Sequence, residues 1–158
     1  MLTQEQRRAL IEKIRSFPAQ LEAQVSALSE AQLTTRFLAG EWTVAQIVHH
    51  LADSHVNAFV RVKLILTEDR PTLKPYNQNA WAETAEAGSA SIQGALAILR
   101  GLHQRWVTLF ESLKDADWGR VGVHPEAGEI TLDDILTTYA NHGEAHLAQI
   151  NKTLTAGR

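Results

Sequence analysis

Residues 131–153 read TLDDILTTYANHGEAHLAQINKT, and this stretch decides the fold because its apolar residues recur at the spacing of one helix face. At about 100° per residue, that face carries Leu132, Leu136, Tyr139, Leu147 and Ile150. Gly143 lies at its centre, where a neighbouring helix can approach closely. His142 and His146 lie at its flank, about 40° apart. The stretch therefore predicts an amphipathic helix with two imidazoles beside its buried face.

Two histidines four residues apart on a helix have two interpretations. Each ring could be a buried core histidine that is hydrogen-bonded to a carbonyl or a side chain, since an unpartnered imidazole is costly to bury. Alternatively, His142 and His146 could bind one divalent metal ion. A zincin protease is excluded, because Glu144 lies two residues from each histidine and points away from both, whereas the zincin base directly follows the first ligand.

Three further helices are predicted upstream. They run from Gln4 toward Ala27, from Val44 to Thr67 and from Ile92 to Leu113, and the last helix ends near Thr153. Thr3, Thr43 and Thr131 precede helices as N-caps, and the first two have a glutamine three residues later, as in a capping box. Pro18 predicts a kink or a fresh start within the first helix.

Two longer connections separate these helices, over residues 68–90 and 119–130, and neither contains a convincing strand. The first is unusually long for a compact domain, but Tyr76 and Trp81 within it indicate an ordered segment packed over another surface. We expect an all-α fold, a four-helix bundle formed as one domain by residues 1–158.

The composition excludes several classes of function. The 158 residues include no cysteine, so disulfides, thiolate metal sites and a cysteine nucleophile are excluded. The net charge is −3 and there is no basic run, which argues against a nucleic-acid partner. No apolar stretch is long enough to cross a membrane and no signal peptide is recognised, so we expect a cytoplasmic protein.

A polar stripe follows the second helix beside its apolar face. His50, Asp53, Asn57 and Arg61 lie within about 80° of one another. The stripe could be an ordinary solvent-exposed face. It could instead line a pocket, with Asp53 near the metal or handling protons and with Asn57 and Arg61 binding substrate.

The third metal ligand is left open by the helical wheels. His49, His50 and His55 are all available on the second helix, and His50 has the most suitable surroundings. His55 lies on the apolar side, as expected for a buried core or interface histidine. His103 and His124 are weaker alternatives, the latter in a loop that could overhang the site.

Several motifs together resemble the YfiT-type branch of the DinB superfamily, also described as metal-dependent hydrolases or bacillithiol-transferase-like proteins. The longest is WTVAQIVHHLADSH at residues 42–55. The others are RVKLILTE at 61–68, KPYNQNAW at 74–81, LHQRW at 102–106, HPE at 124–126 and YANHGEAHLAQI at 139–150. The resemblance covers nearly the whole chain. It departs from close relatives at Asn141 and Glu144, where they have other residues, and this affects the expected substrate details.

The resemblance implies an up-down-down-up four-helix bundle that is often a homodimer. It also implies a divalent metal, Zn²⁺ or Ni²⁺, held by His50, His142 and His146. Such an ion acidifies a water or a thiol that it binds. We therefore expect a metal-dependent enzyme that acts on small molecules, either a thiol S-transferase joining a bacillithiol-type thiol to an electrophile or a hydrolase. The alternative is a non-catalytic, stress-related bundle that binds metal or only dimerises.

Overall fold

The computed structural model describes residues 1–157, which form long helices joined by shorter elements. In chain order the elements are α1 (Gln4–Val25), α2 (Glu30–Thr34), α3 (Val44–Thr67), α4 (Gln78–Ala82), α5 (Gln93–Glu111), α6 (Asp115–Trp118), β1 (Val121–His124), β2 (Gly128–Thr131) and α7 (Leu132–Ala156). The long helices α1, α3, α5 and α7 correspond to the four predicted from sequence.

The predicted threonine caps fix where three of these helices begin. The side chains of Thr3, Thr43 and Thr131 each accept a hydrogen bond from the backbone N–H three residues later, and the side chain at that later position bonds back to the cap. All three sites are full capping boxes, including the third, which was predicted only as a cap. These bonds satisfy backbone donors that a helix start otherwise leaves unpaired.

The contacts between helices show an up-down-down-up four-helix bundle. α1 lies against α5 and α7, and α3 lies against the same two helices. The contacts that give the directions are Arg7–Asp133 and Gln24–Leu147 for α1 with α7, Arg15–Glu111 and Glu22–Arg100 for α1 with α5, His50–His146 and His55–Tyr139 for α3 with α7, and His55–His103 and Phe59–Trp106 for α3 with α5. α1 and α7 therefore point one way and α3 and α5 the other, which confirms the predicted fold class.

The long connection between α3 and α5 follows from this topology. Because α3 and α5 are parallel, the chain must return along the bundle, a distance of roughly 36 Å for a helix of 24 residues. The returning segment is packed: Leu73 is fully buried, and Gln46 donates to the carbonyl of Ala82 at 2.8 Å. The connection is ordered, as its aromatic residues indicated.

The expectation that no strand is present was wrong. β1 and β2 form an antiparallel hairpin in which Val121 pairs with Thr131 and His124 with Gly128. Each strand has only four residues, too few for alternation to stand out in the sequence. The turn residue Gly128 has φ +75°, a conformation that glycine adopts without strain.

Pro18 does not begin a new helix, so the alternative of a fresh start within the first helix was wrong. α1 continues from Gln4 to Val25 with the proline inside it. Proline has no N–H, so the carbonyl of Ile14, four residues earlier, loses its helical donor. That carbonyl instead lies 2.6 Å from Nδ1 of His103 on α5, so a tertiary hydrogen bond replaces the missing helical one.

The core consists of two apolar clusters with a layer of histidines between them. Members of the first cluster are Ile11, Ile14, Phe59, Val62, Trp106, Phe110, Leu132 and Leu136. Members of the second are Phe17, Leu21, Ile47, Leu51, Leu96, Leu99 and Ile150. On each long helix the change from one cluster to the other falls near its histidines or, on α1, near Phe17. The histidine layer thus lies at mid-height in the bundle.

Within residues 1–157, none of the helices combines the length and the apolar character that a bilayer crossing requires.

Candidate metal centre

Three imidazoles converge from two helices at mid-height in the bundle. His50 comes from α3, and His142 and His146 come from adjacent turns of α7. Nε2 of His142 lies 3.4 Å from Nε2 of His50 and 3.1 Å from Nε2 of His146. One ring nitrogen from each of the three lies within 4.8 Å of the others. The structure thus brings together the three residues expected as metal ligands.

The spacing of these nitrogens suits a shared cation. With metal–nitrogen bonds of 2.0–2.1 Å, two ligands are about 3.3 Å apart in a tetrahedral site and about 2.9 Å apart in an octahedral one. The observed 3.1 and 3.4 Å lie in or next to this range. The donor set, three imidazoles without thiolate or carboxylate, is one that zinc and nickel accept.

Gln149 fixes the orientation of His146. Nδ1 of His146 donates a hydrogen bond to Oε1 of Gln149 at 2.7 Å. The proton of the neutral ring is therefore on Nδ1, and the lone pair of Nε2 points into the cluster. Gln149 was not among the predicted site residues, although its position three residues after His146 on the same helix was a usable signal.

Burial keeps the three rings neutral. Together with the neighbouring imidazoles, it lowers the pKa of His50 to about 4 and that of His142 to about 3. Burial also lowers the pKa of His146, against the opposing effect of its bond to Gln149. At neutral pH the rings have lone pairs available, as metal ligands require.

Trp42 forms one wall of the cluster. Its ring centroid lies 4.7 Å from that of His50, and its plane stacks on His146 at 6.5 Å. It directly precedes the capping residue Thr43, so the start of α3 also sets its position. Trp42 begins the longest motif of the sequence, but no role at the site was predicted for it.

The polar stripe of α3 faces the long connection. Asp53, Asn57 and Arg61 are half-buried rather than a solvent face. Nδ2 of Asn57 donates to the carbonyl of Asp53 at 2.9 Å, and Arg61 donates to the carbonyl of Lys74 at 2.8 Å. Within residues 1–157, none of these three side chains is hydrogen-bonded to the clustered imidazoles.

The carboxyl group of Asp53 has an altered acidity. Burial and the nearby charge of Glu86 raise its pKa, while His49 opposes the rise. A carboxyl whose pKa is raised is better suited to accept a proton at neutral pH. Asp53 lies three residues after His50 on α3, about one helical turn away.

The other predicted ligand alternatives lie outside the cluster. His49 contacts the carbonyl of Ser89 and the carboxylate of Glu86 on the long connection. His124 lies at the end of β1, and its Nδ1 accepts hydrogen bonds from the backbone N–H groups of Glu126 and Ala127 in the hairpin turn. His55 and His103 are almost completely buried and are hydrogen-bonded to each other.

Gly143 allows α1 to approach the ligand helix, as its place on the helical wheel suggested. A Cβ atom at this position would lie 2.6 Å from Cδ2 of Phe17. The same phenylalanine ring packs against His55 and His103 at centroid distances of 5.4 and 5.3 Å. The glycine beside His142 is therefore required by close packing.

Comparison with known proteins identifies relatives along nearly the whole chain. The sequence profile of the DinB superfamily matches residues 13–150. A protein of Geobacillus kaustophilus named "Putative metal-dependent hydrolase" is 48% identical over 142 residues, which are 89% of this chain and 79% of that protein. The Bacillus subtilis protein named "Putative metal-dependent hydrolase YfiT" is 40% identical over 152 residues, 96% of this chain and 85% of that protein.

Solved structures show the same fold. The structure of YfiT from Bacillus subtilis, described as having an unusual four-helix bundle topology, matches with a TM-score of 0.93 and 39% identity and covers 97% of this chain and 88% of that chain. A mycothiol-dependent maleylpyruvate isomerase matches with a TM-score of 0.71 at 14% identity over 95% of this chain and 63% of that chain, a likeness of fold alone.

Proposed function

Because this chain belongs to the DinB superfamily, in the branch that resembles YfiT, we propose that it is a metal-dependent enzyme acting on small molecules. His50, His142 and His146 would hold one divalent cation, Zn²⁺ or Ni²⁺. The observation that carries the proposal is the convergence of three Nε2 atoms at the spacing of ligands to one ion. The relatives named as metal-dependent hydrolases support it.

The residues of the site would have separate roles in the reaction. A bound divalent cation would supply Lewis-acid chemistry, strengthened because three neutral imidazoles leave its charge uncompensated. Trp42 would shield one side of the site from water. Asp53 would accept a proton from the attacking group, and Asn57 and Arg61 would contact substrate on the side of the long connection.

Two reactions suit such a site. In hydrolysis, water is added across a bond, so that one product takes the hydroxyl and the other the hydrogen; the names of the relatives favour this class. In thiol transfer, a small thiol forms a carbon–sulfur bond to an electrophile while the leaving group departs with the thiol proton. The cysteine-free chain offers no thiol of its own to compete in that reaction.

The first experiment compares the wild type with His146→Ala, using His124→Ala as a control that removes an imidazole outside the cluster. Purified proteins are analysed for bound Zn²⁺ and Ni²⁺ and assayed with a nitrophenyl ester and with a bacterial thiol plus a haloaromatic compound. We expect about one ion per wild-type chain and at least a tenfold loss of both ion and rate in His146→Ala only.

The results also separate a catalytic metal from a structural one. If His146→Ala reacted as fast as the wild type with both probes, metal-dependent catalysis of these reactions would be contradicted. A wild type that lost much thermal stability with chelator, but had no metal-dependent rate with either probe, would indicate the non-catalytic metal-binding alternative.

A further inference from the structure

A line of buried hydrogen bonds leads away from His142, on the side opposite the clustered nitrogens. Nδ1 of His142 lies 3.1 Å from Nε2 of His55, and Nδ1 of His55 lies 2.7 Å from Nε2 of His103. Nδ1 of His103 lies 2.6 Å from the carbonyl oxygen of Ile14. We call His55 and His103 the histidine relay.

The far end of the relay has only one possible proton arrangement. A carbonyl oxygen accepts hydrogen bonds and cannot donate, so Nδ1 of His103 must carry the hydrogen of its bond to Ile14. The carbonyl is available because Pro18 has no N–H to occupy it. The relay thus begins at a fixed acceptor that the helix itself leaves free.

The position of the hydrogen on His103 determines the tautomer of each following ring. The exposed fractions of His55 and His103 are 0% and 1%, and neither is paired with a carboxylate in residues 1–157, so each ring is neutral and carries one hydrogen. Nε2 of His103 is then a lone pair and accepts from Nδ1 of His55. Nε2 of His55 is likewise a lone pair and accepts from Nδ1 of His142.

We infer that the histidine relay holds His142 in the tautomer with hydrogen on Nδ1, so that its Nε2 lone pair points at His50 and His146. As a statement about a metal ligand, the inference rests on the proposed function. It makes His55 and His103 positioning residues that act through His142.

The relay also determines how the Nε2 atoms of His142 and His146 face each other. If His142 carried its hydrogen on Nε2, it could donate to Nε2 of His146 at 3.1 Å. The two rings would then be hydrogen-bonded to each other instead of presenting two lone pairs. With the relay in place, the two Nε2 lone pairs face each other and repel. A bound divalent cation would remove that repulsion, so the relay would hold the cluster ready for a metal.

The direct test is nitrogen NMR of the metal-free protein labelled with ¹⁵N in its imidazoles, at neutral pH. We expect protonated-type shifts for Nδ1 and unprotonated-type shifts for Nε2 in His103, His55 and His142 alike. A His142 ring with hydrogen on Nε2 in the wild type would overturn the inference. This spectrum needs no variant and no metal.

Variants of His103 test the causal step. His103→Leu removes the bond to Ile14, and His103→Gln keeps one donor and one acceptor. We expect His103→Leu to shift His142 toward the other tautomer and to weaken Zn²⁺ binding about 10- to 100-fold, and His103→Gln to recover most of the loss. Zn²⁺ affinity is measured by competition with a chelating dye.

Val107→Ala is the matched control. Val107 is buried one turn after His103 on α5, so its truncation lowers stability while every hydrogen-bonding group of the relay stays in place. It should leave the His142 shifts and the Zn²⁺ affinity unchanged, and equal losses in His103→Leu and Val107→Ala would overturn the inference. If the wild type showed these tautomers but bound neither Zn²⁺ nor Ni²⁺, the proposed function would be refuted and the relay would still stand.

Discussion

His142 has a different partner on each side of its ring, and this is the central fact at the scale of residues. Nε2 faces two imidazoles at the spacing of a metal site, and Nδ1 faces the buried ring of His55. Burial also lowers the pKa of His103 to about 4, against the bond to Ile14, and that of His55 to well below its usual range. His50, His55, His103, His142 and His146 are therefore neutral at physiological pH.

The lowered pKa values predict how the metal-free protein responds to acid. In the folded state the pKa is about 4 for His50 and His103 and about 3 for His142, whereas an unfolded histidine titrates near 6.5. Between pH 6.5 and 4 the unfolded chain binds more protons than the folded chain. The free energy of unfolding should therefore decrease as the pH is lowered through this range. Each such histidine contributes at most about 1.4 kcal/mol per pH unit.

Urea denaturation of the metal-free protein at intervals from pH 7.5 to 4.5 measures this slope. His103→Gln removes one of the titrating groups, so its slope should be smaller than that of the wild type by up to about 1.4 kcal/mol per pH unit. A free energy of unfolding that did not fall across this window would contradict the neutral histidine layer.

The sequence predicted the three clustered rings but not the hydrogen-bond partners of His55. The spacing of His142 and His146, with the motif around His50, was enough to single out the three rings that converge. His55 was expected to be a satisfied buried histidine, which it is, but its partners come from α5 and α7 and have no signature in the local sequence. Helical periodicity indicates which face is buried, not which atoms meet across it.

At the scale of elements, the approach of α1 to α7 depends on Gly143. The ring of Phe17 occupies the space that a side chain there would need, and it is buried against the histidine relay. Hairpin β1–β2 shows the opposite case: short strands with a weak pattern were missed, whereas capped amphipathic helices were located closely. Elements long enough to repeat their pattern are the predictable ones.

Gly143→Ala should therefore destabilise the protein by about 1–3 kcal/mol, because the added methyl group overlaps Phe17. Gly101→Ala is the control, since a Cβ there meets nothing within 4 Å on the exposed face of α5. It should stabilise by about 0.5–1 kcal/mol through the better helix propensity of alanine. Urea denaturation of both variants makes the comparison, and a gain in both would show that Phe17 moves aside freely.

At the scale of the whole molecule, the parallel direction of α3 and α5 determines the course of the connection between them. The connecting segment runs along the bundle, and residues near each of its ends contact other parts of the fold. Near the start, the N–H of Leu73 donates to the carbonyl of Val123; near the end, the carbonyl of Ser89 contacts His49. The sequence indicated an ordered segment, but the need for it became clear only from the helix directions.

Leu73→Ala tests whether this connection is an integral part of the core. Leu73 is fully buried, so the substitution should cost about 2–4 kcal/mol of unfolding free energy. The neighbouring Lys74→Ala changes an exposed side chain and should stay within about 0.5 kcal/mol of the wild type. Equal stabilities of the two variants, measured by urea denaturation, would mean that the connection contributes little to the fold.

The division of the three imidazoles between α3 and α7 also bears on how the protein matures in the cell. His50 leaves the ribosome 92 residues before His142, so a nascent chain has one of the converging rings long before the other two. Any ion captured early would be held by α3 alone and would exchange readily. Stable binding of the proposed ion would therefore require that α7 has been synthesised and has docked, which would make metal loading a post-translational event.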